Sequence, residues 1–142
     1  MIPVRLFLLV LTLLLGPIGA PRAAGPGAAA SAHRIVFQVN DEDSRKWNTV
    51  LANINNVQEE LGKVEVAVVV IGPALGMLKA DALTANKVQD AMAAGVRFVA
   101  CGNSMQAQHL EKDDMIDKID YARAGYVEIT RLQQQGWTYL RP

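Results

Sequence analysis

The sequence predicts an α/β domain in three layers: an open, mostly parallel sheet of about five strands with helices on both faces. Three observations lead there. Val64 to Ile71 (VEVAVVVI) is almost continuously apolar with one charge, the pattern of a parallel strand covered on both sides. Trp47, Val50, Leu51, Ile54, Val57 and Leu61 recur at steps of three and four, which puts them on one face of a helix. From Arg34 onward, strand-like and helix-like segments alternate, as βαβ units do when they build a parallel sheet.

Each element has its own warrant. The first strand is IVFQVN, rich in β-branched and aromatic residues, and it stops at Asp41-Glu42-Asp43-Ser44, a polar cluster suited to a helix start. The helix from Trp47 to Leu61 follows, and Gly62 stands where a left-handed cap would close it. Gly72-Pro73 breaks the second strand, and Ala74 to Lys79 has room for a short helical turn. Thr84 is suited to cap a helix carrying Val88, Ala91 and Met92 toward Gly95. Val96 to Ala100 is a third strand, after which Cys101-Gly102-Asn103-Ser104 opens a helix reaching about Leu110. Glu111 to Asp114 reads as a solvated connection, and Ile119 to Ala122 as a short fourth strand. Gly125 precedes a helix from Tyr126 to about Gln135, Gly136 closes it, and Trp137 to Leu140 is the last strand. The pattern leaves the strand order open.

Residues 33–142 make up this domain, whereas residues 1–32 are of another kind. Arg5 is followed by Leu6 to Leu15, an apolar run interrupted only by Thr12, too short for the roughly 20 residues of a membrane-spanning helix. It reads as a secretory signal peptide. Residues 16–32 offer one large apolar side chain, Ile18, among Gly, Pro and Ala, which suits a processing segment rather than a packed core. Cleavage at Ala30-Ser31-Ala32, or nearer Ala24, would start the mature chain between residues 24 and 33. A periplasmic or secreted protein with no stable membrane span after processing is expected.

Charge and cysteine content remove several function classes. Fourteen basic residues balance fourteen acidic ones, so no positive field favours a nucleic-acid backbone. Losing Arg5 and Arg22 with the leader leaves the mature domain weakly acidic. One cysteine excludes an internal disulfide and a Cys-x-x-Cys pair, since Ser104 holds the second place after Cys101. Two histidines and one cysteine fall short of the usual structural zinc set, and no metal is expected. Neither G-x-G-x-x-G nor G-x-x-x-x-G-K-[ST] occurs, so no nucleotide or other cofactor is expected.

In a sheet of this kind ligands bind beyond the carboxyl ends of the strands. That rim collects Asn40-Asp41, Gly72-Pro73, Cys101-Gly102-Asn103 and Ala124-Gly125. Cys101 is its one nucleophile of note: at the first position of a helix, unpaired amides and the positive end of the dipole favour a thiolate. Sulfur transfer, persulfide formation and soft-metal binding all need that form. Asn40, Gly72, Gly102 and Asn103 are the candidate ligand-binding residues beside it. A buried cysteine packed as a small apolar side chain is the alternative. His109, eight residues after Cys101, lies roughly 12 Å away if one helix joins them, so it is assigned to the surface or an interface. His33 is read as mobile. Asp41, Glu42 and Asp43 serve the helix dipole, and Trp47 and Trp137 the core or an interface.

Two stretches carry a family likeness. GVRFVACGNSMQAQHL (95–110) and AGYVEITRLQQQGWTYLRP (124–142) resemble the DsrE/DsrF-like sulfur-relay proteins, and the likeness spans about His33 to Pro142. It implies a compact α/β domain that assembles into homo-oligomers, some members of which carry sulfur as a cysteine persulfide between donor and acceptor proteins. Cys101 is the residue that matches a sulfur-bearing position. The expected function is an exported sulfur carrier or sulfurtransferase-type protein. The alternative is a noncatalytic module that binds a small ligand or a protein, with Cys101 packed.

Overall fold

The computed structural model describes residues 33–142. The leader, its cleavage point and the processing segment lie outside the described residues. Five strands form one sheet: β1 (His33–Val39), β2 (Val64–Val70), β3 (Arg97–Cys101), β4 (Asp120–Ala122) and β5 (Thr138–Leu140). Their order is β4-β3-β2-β1-β5 and every neighbouring pair is parallel. The sheet is therefore wholly parallel, a stricter arrangement than the sequence pattern required. Among the described residues, no helix is long and apolar enough to cross a membrane.

Four α-helices connect the strands: α1 (Ser44–Leu61), α2 (Ala85–Ala93), α3 (Gly102–Ala107) and α4 (Gly125–Gln134). The larger core lies on one face. Ile35, Phe37 and Val39 of β1 and Val66, Val68 and Val70 of β2 meet Trp47, Val50, Leu51 and Ile54 of α1 and Ala85 and Val88 of α2. The alternate residues Val36, Ala67, Val69, Val99 and Cys101 face the other way, onto Ile129 and Leu132 of α4. This is the two-residue period of a strand buried on both faces.

Local chemistry explains the boundaries. Asp43 caps α1, its carboxylate accepting the Arg45 N–H at 2.9 Å. Gly62 ends that helix at φ +66°, a conformation costly for a residue with a Cβ. Trp47 is a core residue whose Nε1–H is satisfied by the Asp41 carbonyl at 2.6 Å. Gly72–Leu78 is a 3-10 segment, longer than the turn expected from Ala74.

Thr84 corrects the sequence reading. It precedes α2, but its side chain makes no cap bond: with ψ 0° its backbone lacks the extended geometry of a capping residue. Its hydroxyl is buried without a hydrogen-bond partner. Thr84→Val should therefore leave stability unchanged or raise it by about 1 kcal/mol, because it removes an unsatisfied group at nearly constant shape. Denaturant unfolding checks this; a loss of about 1 kcal/mol would show a working cap.

Candidate functional site

The parallel sheet brings the carboxyl ends of β1, β2, β3 and β4 to one edge. Along that rim stand Asn40, then Gly72, then Cys101-Gly102-Asn103, then Arg123-Ala124-Gly125. The expected rim residues are thus collected, though Asn40 is two strands from Cys101. Its Oδ1 is buried without a partner.

Cys101 closes β3 and is the N-cap residue of α3, with extended backbone (φ −76°, ψ 112°). Its side chain points to the α4 face, where it is only 4% exposed. The sulfur accepts the Gly125 N–H at 3.3 Å. Gly125 is the first residue of α4, and the capping position before it is Ala124, which has no side-chain oxygen to offer. Cys101 therefore supplies, from a different strand, an acceptor that α4 lacks in its own sequence.

The close approach depends on glycine. A Cβ at position 125 would lie 2.6 Å from Ile71 Cγ1 and 3.3 Å from Cys101 Cβ. Gly102 is also tight: a Cβ there would lie 3.4 Å from the Ala122 carbonyl oxygen. The Asn103 N–H donates to the Arg123 carbonyl at 2.9 Å, fastening the cysteine loop to the end of β4. The Asn103 side chain itself is exposed.

Two influences compete over the thiol. Burial, the larger single one, pushes its ionisation up. The Gly125 amide at 3.3 Å, the Ser104 hydroxyl and the amides of Ser104 and Asn103 pull the other way, and together they prevail, so the thiol ionises below the ordinary cysteine value. The sequence reading assigned this effect to the helix opened by Cys101 itself. Two amides of that helix, those of Asn103 and Ser104, do contribute, and the amide that meets the sulfur at 3.3 Å is added by the ten-residue α4.

Two further residues were missed. Ser104 Oγ accepts the Gly72 N–H at 2.9 Å, and Gln108 Nε2 donates to the Gly72 carbonyl at 2.8 Å. Ser104 in α3 and Gln108 just past its end thereby pin the loop after β2. A serine and a glutamine four residues apart after a strand cysteine are the available sequence signal. His109 sits in an exposed turn beyond α3 at φ +55°, consistent with a surface position. His33 is exposed in β1 rather than in an unstructured end. Asp41 pairs with Lys46 at 2.7 Å, so the acid cluster serves the entry to α1. Among the described residues no group of three metal-ligating side chains converges.

Concavity and chemistry do not coincide. A cleft of about 700 Å³ lies at the opposite end of β3, lined by Gly95, Arg97, Phe98, Lys118 and Asp120. A cleft of about 370 Å³ borders the cysteine loop through Gly102, with Tyr121 and Arg123. Cys101 lines neither. The rim is the stronger candidate because it alone combines a nucleophile with donors directed at it.

Solved structures share this architecture. A protein of unknown function from Methanobacterium thermoautotrophicum, MTH1491, superposes with TM-score 0.76 at 30% identity, covering 78% of this chain and 99% of that one. The ychN protein from E. coli gives 0.64 at 13% identity, over 78% and 99% of the two chains. A conserved protein of unknown function from Bacteroides thetaiotaomicron, BT1422, gives 0.67 at 12%, over 82% and 100%. No curated protein matches the sequence. The profile of the DsrE/DsrF-like family matches residues 33–142, the same span that carries the parallel sheet and its cysteine rim, and the chain belongs to that family.

Proposed function

We propose that the protein is an exported sulfur carrier that holds sulfane sulfur on Cys101. One observation carries the reading: the only cysteine of the chain ends a strand at the rim, where Gly125 N–H meets its sulfur at 3.3 Å and hydrogen bonds bring its ionisation below the ordinary range. A thiolate in that position attacks the outer sulfur of a donor such as thiosulfate. A new S–S bond forms, the donor S–S bond breaks, and sulfite leaves with the bonding electron pair. The persulfide keeps one negative charge, and the same amide donors stabilise it. Gly72, Gly102 and Asn103 shape the backbone around the sulfur, and Asn40 offers a polar group farther along the rim.

The apolar run after Arg5 supports export to the periplasm or beyond. Exposed Tyr126 and Val127 on α4, with Tyr139 and Leu140 on the edge strand β5, support a homo-oligomer. Sulfur donor and acceptor proteins are the partners this role requires.

The 4% exposure of Cys101 favours a second reading, a noncatalytic binding module in which the cysteine is packed. Mass spectrometry after incubation with polysulfide or thiosulfate separates the two. The carrier gains the mass of sulfur, and Cys101→Ser does not. A thiol that takes up neither sulfur nor an alkylating reagent until the protein unfolds would establish the packed role.

A further inference from the structure

We propose that the cleft beside the cysteine loop is a binding site for a small organic anion, its acidic group held between Lys112 and Arg123 and its apolar body laid on Met105 and Leu110. Cys101 does not line this cleft, and the site is independent of whether that residue carries sulfur. The cleft measures about 370 Å³, at the small end of the range of ligand pockets. Its floor is apolar: Met105 of α3 is buried, and Leu110 and Ala122 are half-buried. Apolar ground with a few charged groups around it is the usual make-up of a small-molecule site.

The positive charge at its wall is uncompensated. Lys112 and Arg123 both line the cleft, and among the described residues neither forms an ion pair. Lys112 instead places its Nζ 4.8 Å from the centre of the Tyr121 ring. That contact holds the ammonium at the wall and leaves its full charge, since the ring carries none of its own. Burial, together with Asp117 and Asp113, raises the ionisation of the Tyr121 phenol, so the ring stays neutral at physiological pH. Arg123 is anchored through its backbone: it follows β4, and its carbonyl accepts the Asn103 N–H at 2.9 Å, which holds it against the cysteine loop.

The carboxylate of the cleft is already engaged. Glu111 accepts the Asp114 N–H, and Asp114 accepts the Glu111 N–H at 2.8 Å, a capping box at the 3-10 turn Lys112–Asp114. The 700 Å³ cleft at the other end of β3 differs in this respect: Arg97 and Lys118 share it with Asp117 and Asp120, and Arg97 pairs with Asp120 and Glu128 at 3.4 Å. Its charges balance. The smaller cleft sets two cations against one engaged carboxylate, so an anion complements it. An inorganic anion would meet the cations but leave the floor uncovered, and an apolar body attached to the acid covers it.

The test is a nuclear magnetic resonance titration of the isotope-labelled full-length protein with naphthalenesulfonate, its neutral sulfonamide counterpart and inorganic sulfate. Shifts on adding the sulfonate should concentrate at Gly102, Lys112 and Tyr121. Lys112→Gln and Arg123→Gln, both exposed and tolerated by the fold, should each weaken binding about fivefold, and Lys118→Gln in the larger cleft should leave it unchanged. The sulfonamide should bind about tenfold more weakly than the sulfonate, and sulfate more weakly still. Equal binding by wild type and the Lys112→Gln/Arg123→Gln double variant, or by sulfonate and sulfonamide, would overturn the role of the two cations. Sulfate binding as tightly as naphthalenesulfonate would overturn the apolar bed. No shifts at this cleft with millimolar probe, or shifts centred on Lys118, would overturn the site itself.

Discussion

Gly125→Ala should destabilise the fold by about 1–3 kcal/mol and raise the ionisation midpoint of Cys101 at the same time. In an exposed helix the same change favours stability by about 1 kcal/mol, so a net loss isolates crowding at this position. The added Cβ would sit 2.6 Å from Ile71 Cγ1 and 2.9 Å from its Cδ1. Ile71 is buried and β-branched, with little freedom to turn aside. Relief comes by lifting the first turn of α4, which draws the Gly125 N–H away from the sulfur it meets at 3.3 Å. Denaturant unfolding and thiolate titration read the two effects separately. A gain in stability, or a loss with the midpoint unmoved, would show that the glycine is not what holds the donor in place.

Phe98→Ala should cost about 3–5 kcal/mol. Phe98 is 1% exposed and among the largest fully buried side chains, set in β3 against the core that α1 and α2 cover. Cys101 projects from the opposite face of the same strand. The thiol midpoint of the folded variant should therefore match that of the wild type. This substitution and Gly125→Ala form a pair: one removes stability without touching the sulfur, the other alters both. A Phe98→Ala loss below about 1 kcal/mol would mean that the site collapses around the missing ring.

The alternation of elements was legible because it is a local property. Val64 to Val70 announces a doubly covered strand through composition alone, and the spacing of Trp47 to Ile54 announces the buried face of α1. Strand order was not legible, since a right-handed crossover fixes the sense of each connection without naming the neighbour. The candidate site divides in the same way. Cys101 at a strand end was visible in the sequence. The amide that meets its sulfur was not visible, because Gly125 lies 24 positions away, and the loop at Gly72 is tied to Ser104 across 32. Thr84 failed for a related reason. Its residue type suits a cap, but the backbone after the 3-10 segment turns the side chain into the core.

The pH behaviour of the single thiol follows from the same geometry. Its proton leaves the folded chain at lower pH than the unfolded one. Stability relative to Cys101→Ala should rise with pH between the folded midpoint and the ordinary cysteine value, be fully present above the latter, and vanish as pH falls through the former. The decisive measurement is the thiolate titration itself, carried out on folded protein and repeated in denaturant. A midpoint that is depressed in the native state and returns to the usual value on unfolding is the predicted result. A native midpoint equal to or above the unfolded one would contradict the account, leaving the family fold without an activated sulfur.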